Sequence, residues 1–284
     1  MMRARRFFLI LTAALLPAAY CAAQTTDDVG AWLSAGLEKK IAKGLSTGFE
    51  AEYRLQDRMR STDRISAGAS ISYRLYRNKA KTFSLKAELG AKYMRVYVPE
   101  SVTMKDSVFV WDDVTETDIF KGREYNVDES YAVNKFRATA SVLASVDAGR
   151  WKFSLRERYQ YTGNDSVSIT EHKWRYSVSE DAIVERPDKA ETEWKARNNR
   201  RHVLRSRLQA TYDIPGCKLE PYASAELYNN LKEGMSLQKT RYMVGVGYTL
   251  RKSNEFKLYY AYQNEADDDE PAGHIIGLSY CYSF

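Results

Sequence analysis

The chain closes on Ile276-Gly277-Leu278-Ser279-Tyr280-Cys281-Tyr282-Ser283-Phe284, in which every second residue is apolar or aromatic and those between are small or polar. On a helix this spacing would scatter the apolar side chains around the axis. On a strand it puts Ile276, Leu278, Tyr280, Tyr282 and Phe284 on one face. The same period recurs upstream. Phe256, Leu258, Tyr260 and Tyr262 form the preceding stripe, and Tyr242, Val244, Val246, Tyr248 and Leu250 the one before it. Further stripes run through 219–227, 204–212, 151–161, 136–146, 83–93, 65–75 and 45–55, and a shorter one holds Ala31, Leu33, Ala35 and Leu37. Most exceed the ~5–6 residues of an ordinary strand and approach the ~9–11 of a tilted membrane strand.

A soluble sandwich also alternates, so period alone does not decide between lipid and a second sheet. Three features favour lipid. The terminal run Leu278, Tyr280, Tyr282, Phe284 resembles the C-terminal insertion signal of bacterial outer-membrane proteins. Connections alternate between short (77–80, 147–150, 213–216, 252–255) and long (99–133, 164–200, 229–238, 265–273), the asymmetry of periplasmic turns and outer loops. Aromatics sit near segment ends, with Tyr73, Trp151, Tyr212, Tyr248 and Tyr280 at one level and Tyr53, Tyr93, Tyr159, Tyr161 and Tyr262 at the other. That is two girdles around an apolar band.

The expected fold is therefore all-β, a transmembrane antiparallel up-and-down β-barrel in the outer membrane. The stripes number eleven, whereas single-chain bacterial barrels use even numbers. This predicts twelve strands with one unrecognised, or ten with one segment not spanning. Residues 24–29 are too few to cross as the missing strand, since six extended residues reach only about 20 Å. Glu157 falls on an outward stripe, which predicts a β-bulge nearby to turn it inward.

The N-terminus reads as a secretory signal. Arg3, Arg5 and Arg6 precede an apolar run, and Cys21-Ala22-Ala23 offers small residues for cleavage. The expected organisation is a signal peptide over 1–23 and a barrel over 24–284. Lipidation at Cys21 is the alternative, but Tyr20 stands where a small residue is needed. Cys217 and Cys281 then remain, too few for a disulfide framework. Beyond the signal no apolar run is long enough for a spanning helix. Net charge is +6 with 21 tyrosines. The charge is spread along strands in an exported chain, which argues against nucleic acid.

Strand parity points Glu50, Glu52, Arg54, Lys86, Glu88, Arg137, Arg156, Arg158, Arg205, Arg207, Glu226 and Arg241 into the lumen. Basic groups outnumber acids there. An open lumen would concentrate anions; a plugged one would hold arginine–glutamate networks in place of an apolar core. A narrow anion-favouring pore and a membrane-embedded binding protein both fit. The loops 99–133 and 265–273 are acidic, so Ca²⁺ or Mg²⁺ is conceivable, but their spacing is not that of a calcium loop. No cofactor or metal is expected. Expected partners are outer-membrane lipid and lipopolysaccharide, the barrel-assembly machinery through the last strand, and a small anionic solute. Two alternatives stand beside these: a surface hydrolase or protease using His202 or His274, and a soluble periplasmic β-protein. No nucleophile elbow, metal-binding histidine pair or phosphate loop occurs. His202 and Ser206 share a strand face some ~13 Å apart, beyond hydrogen-bond reach.

Four segments carry a family resemblance: Val29 to Lys40, Glu50 to Arg54, Arg156 to Tyr161, and His202 to Leu208. In this order they resemble the bacterial "domain of unknown function 2490" family across essentially the whole mature chain. The resemblance implies an outer-membrane barrel and brings no activity.

Overall fold

The computed structural model describes residues 28–186, 200–251, 253–264 and 272–284, and the backbone of 192–195. The expected signal peptide and the acidic tract 265–270 lie outside the described residues. In chain order the strands are β1 (Asp28–Ala42), β2 (Leu45–Gln56), β3 (Ser61–Arg77), β4 (Phe83–Val98), β5 (Ser101–Asp112), β6 (Thr117–Asp128), β7 (Tyr131–Ala148) and β8 (Trp151–Asn164). They continue with β9 (Val167–Ser177), β10 (Ala182–Glu185), β11 (Thr192–Lys195), β12 (Arg201–Tyr212), β13 (Leu219–Asn230), β14 (Ser236–Leu250), β15 (Asn254–Gln263) and β16 (Gly273–Ser283).

Eleven of these close into a barrel in the order β1-β16-β15-β14-β13-β12-β8-β7-β4-β3-β2. Period two is what permits closure. One face of each strand is apolar and points outward, so Leu33, Phe49, Ile71, Leu89, Leu208 and Leu278 are 45–60 % exposed. The other face is polar and fills the interior. One rim carries the short turns, where Gly149 (φ 66°) and Gly216 (φ 70°) take left-handed conformations open to glycine. At this turn rim the rings of Trp151 and Tyr212 lie 4.8 Å apart and those of Phe256 and Tyr280 5.0 Å apart. At the opposite rim Tyr161 meets His202 at 5.2 Å and Tyr262 meets His274 at 5.3 Å.

The described barrel has eleven strands, neither the twelve nor the ten expected. The even count presumes antiparallel closure. Here β1 and β16 pair in parallel, from Asp28↔Gly273 through Glu38↔Ser283, while β1–β2, β2–β3, β8–β12, β12–β13, β13–β14, β14–β15 and β15–β16 are antiparallel. An odd number of up-and-down strands leaves the first and last pointing the same way, and a slanted parallel ladder joins them. No missing strand is needed.

The bulge expected near Glu157 does not occur in the β8–β12 ladder. The β8–β12 pairing runs unbroken from Arg201↔Thr162 to Tyr212↔Trp151. Glu157 stays on the outer face opposite Ser206, whose hydroxyl donates to its Oε2 at 2.6 Å. A one-residue slip would have turned Arg156 and Arg158 outward with it; one hydrogen bond to the carboxylate is the smaller disturbance.

The described parts of 95–135 and 164–199 form a second compact unit. Sequence reading treats these stretches as loops. Instead β10, β9, β6 and β5 make a sheet in that order, and β11 also pairs β9. Tyr125 stacks on Trp174 at 5.4 Å and Phe109 packs on Phe120 at 5.5 Å. The Asp112 carboxylate shapes the β5–β6 turn by accepting the Thr115 hydroxyl at 2.6 Å, and that bond holds it below the usual aspartate range.

Candidate functional site

All twelve lumen residues singled out by parity line one cavity of about 520 Å³ inside the barrel. Among the described residues its wall carries ten basic and five acidic side chains, so the interior holds a positive excess. Small residues, among them Ser34, Gly36, Gly48, Ser70 and Ser279, line much of the β1, β2, β3 and β16 side. The arginines concentrate on β8 and β12.

The polar network runs along the wall, each contact reaching over one intervening strand. Arg156 on β8 donates to Glu226 on β13 at 2.7 Å, passing over β12. Arg158 on β8 reaches Glu88 on β4 at 3.1 Å, passing over β7. Lys92 on β4 lies 3.4 Å from Glu50 and 4.0 Å from Glu52 on β2, passing over β3. Side chains long enough to skip a strand occupy the space an apolar core would fill elsewhere.

Glu226 is the hub. Its carboxylate takes Arg156 on Oε1, then Arg205 at 3.0 Å and the Tyr228 hydroxyl at 3.0 Å on Oε2, with Arg241 at 3.7 Å. Arg205 also donates to Gln160 at 2.9 Å, and Arg241 to Gln263 at 2.6 Å. Trp32 projects from β1 between two guanidiniums, Arg54 at 3.5 Å and Arg241 at 4.8 Å from its ring. Arg54 is held in turn by Glu52, at 2.8 and 3.1 Å. Arg137 donates to Thr162 at 3.2 Å.

Trp32, Tyr228, Gln160 and Gln263 join this network although they lie outside the set of lumen residues singled out from the sequence. The signal was present for Trp32: with Ala31 and Leu33 outward, it must point in. Its size and apolarity obscured that.

The terminal residues serve the barrel seam. The Phe284 backbone N–H donates to Glu38 O at 2.9 Å, and Lys40 N–H donates to Phe284 O at 3.2 Å. The Tyr282 and Phe284 rings lie 5.7 Å apart, and the Tyr280 hydroxyl donates to Asn254 at 2.9 Å. Leu278 faces outward, half exposed.

The histidines do not assemble a nucleophile. His202 Nδ1 bonds the Tyr159 hydroxyl at 2.7 Å, and Ser206 is engaged by Glu157. His274 Nδ1 bonds the Tyr260 hydroxyl at 2.6 Å. His172, in the second unit, sits between Glu129 at 2.8 Å and Glu185 at 2.6 Å. Cys217 and Cys281 are both free thiols.

No curated protein matches the chain. Among solved structures, the β domain of the Bordetella autotransporter BrkA is 13 % identical over 86 % of each chain, with a TM-score of 0.42. The translocator domain of the autotransporter NalP from Neisseria meningitidis is 12 % identical, covering 95 % of this chain and 94 % of that one, with a TM-score of 0.41. A family described as "Protein of unknown function (DUF2490)" matches residues 29–272, and the chain belongs to it.

Proposed function

We propose that this protein is an outer-membrane β-barrel whose cation-rich interior binds small anions, with conduction, if any, narrow and anion-favouring. One observation carries the reading: the barrel is inside out relative to a soluble protein. Leu33, Phe49, Ile71, Leu89, Leu208 and Leu278 point outward, while ten basic and five acidic side chains of the described residues surround the interior cavity. Water would not tolerate so continuous an apolar outer face, and lipid would. The turn rim, with Phe284, faces the periplasm, and the opposite rim faces outward.

Binding is favoured over free passage because the long side chains of the Arg156–Glu226, Arg158–Glu88 and Lys92–Glu50 contacts project from the wall and take up space in the interior. The hydrolase reading loses its support, since His202 bonds Tyr159 rather than a serine.

Fractionation tests the membrane placement. The protein should require detergent and migrate differently on gels before and after boiling; recovery as a folded monomer in a detergent-free aqueous fraction would reject it. Planar-bilayer recording tests the interior. Silence or weak anion-selective current is expected, and a large cation-selective current would defeat the reading.

A further inference from the structure

We propose that four arginines on β8 and β12 form a recognition site for a phosphate dianion, free or as the head of a phosphomonoester. The inference rests on the anion-binding reading above and names its ligand class.

The β8–β12 register sets Arg158 opposite Arg205 and Arg156 opposite Arg207, on the same inward face. Directly opposed like charges on neighbouring strands are destabilising. Here two such pairs lie side by side, and the carboxylates that answer them are Glu226 and Glu88. Glu226 pairs with Arg156 and Arg205, and Glu88 with Arg158. Arg207 stands opposite Glu226 in the β12–β13 register, yet Glu226 is already engaged. Among the described residues the Arg207 guanidinium has no hydrogen-bond or ion-pair partner. The Nε–H groups of Arg156 and Arg158 are buried and likewise have no acceptor among the described residues. Four guanidiniums thus face two carboxylates, leaving two positive charges and several fixed donors beside the cavity. Lys86 lines the same cavity and adds a further positive charge.

This donor set selects the ligand. Planar guanidiniums match the oxygen edges of a tetrahedral oxyanion, two donors at a time. An excess of two charges is matched by a dianion better than by chloride or a single carboxylate. The cavity, about 520 Å³, falls in the roughly 300–1,000 Å³ range of small-molecule sites, so an organic group can accompany the phosphate. The wall on β1, β3 and β16 offers the serines Ser34, Ser70 and Ser279 to such a group.

The test is calorimetric titration of the purified full-length protein in detergent at constant ionic strength. The probes are inorganic phosphate, glycerol 3-phosphate, chloride and glycerol. Saturable binding of either phosphate probe, without saturable binding of chloride or glycerol, is the expected result. Tighter binding of glycerol 3-phosphate assigns the site to an ester, and equal or tighter binding of inorganic phosphate assigns it to the free ion. Arg207→Gln should weaken binding about tenfold, the scale of one lost charge-assisted pair. Arg207 is chosen because no protein partner depends on its guanidinium, so folding should survive; unaltered heat-modified gel migration checks this. Lys152→Gln, on β8 with Arg156 and Arg158 but outside the cavity lining, should leave affinity unchanged. Absence of saturable phosphate binding, or equal binding by Arg207→Gln, overturns the inference. Saturable chloride binding without phosphate binding would overturn it while leaving the anion-binding reading intact. Phosphate binding by a protein recovered without detergent would do the reverse to the membrane placement.

Discussion

Glu226 gathers Arg156, Arg205 and the Tyr228 hydroxyl on one buried carboxylate, with Arg241 beside them. Its removal leaves guanidiniums facing one another in a poorly hydrated space. Glu226→Ala should therefore cost about 3–5 kcal/mol, the scale for breaking a buried ion pair from one side. Thermal unfolding of the purified protein in detergent measures this, and Glu226→Gln, which keeps an acceptor oxygen, should lose less. Parity in the sequence was enough to turn Glu226 and its arginines inward. It could not pair them, because contacts such as Arg156–Glu226 skip a strand and depend on the order in which the sheet closes. Glu157 is the converse case. Its outward parity was read correctly, but the inferred bulge was unnecessary because Ser206 supplies the missing hydrogen bond.

At the scale of elements, legibility follows chemistry. Strands with one lipid-like and one polar face announce themselves by period two, and the eleven stripes correspond to the eleven barrel strands. The second sheet did not announce itself. In β9 the run Glu171-His172-Lys173 places charge on both faces, which erases the alternation. His172 makes this sheet pH-sensitive. Its bonds to Glu129 first, then Glu185, raise its pKa above the ordinary value of 6.5. A raised folded-state pKa means that the stabilisation is complete below the unfolded value and fades as pH rises through the folded one. Backbone amides of β9 and β10 should thus be better protected from hydrogen exchange at pH 6 than at pH 8, after correction for intrinsic rates. His172→Gln should abolish that difference; a persistent difference would place the sensitivity elsewhere.

For the whole molecule, the parallel seam between β1 and β16 is the feature least legible in the sequence, because alternation within a strand carries no information about which strands pair at closure. The seam is open to a chemical test. Gly36 pairs with Cys281 across it, and a Cβ added at Gly36 would lie 3.7 Å from the Cys281 Cβ. That is close to the ~3.8 Å mean for disulfides. Gly36→Cys, with Cys217→Ser to remove the other described thiol, should form an intramolecular disulfide on mild oxidation. Boiled, non-reduced samples would then migrate faster than reduced ones. Failure to cross-link in the folded protein would reject the parallel register.

Parallel closure also decides how the polypeptide could be rewired. Because β1 and β16 run in the same sense through eleven paired positions, the start of one and the finish of the other emerge at opposite rims. A circular permutant would need a linker spanning roughly 35 Å, or about ten extended residues. That tether would have to thread an interior lined by arginines or lie unpaired along the apolar outer face. Short-linker permutants, readily tolerated by barrels whose ends meet, should fail to assemble here.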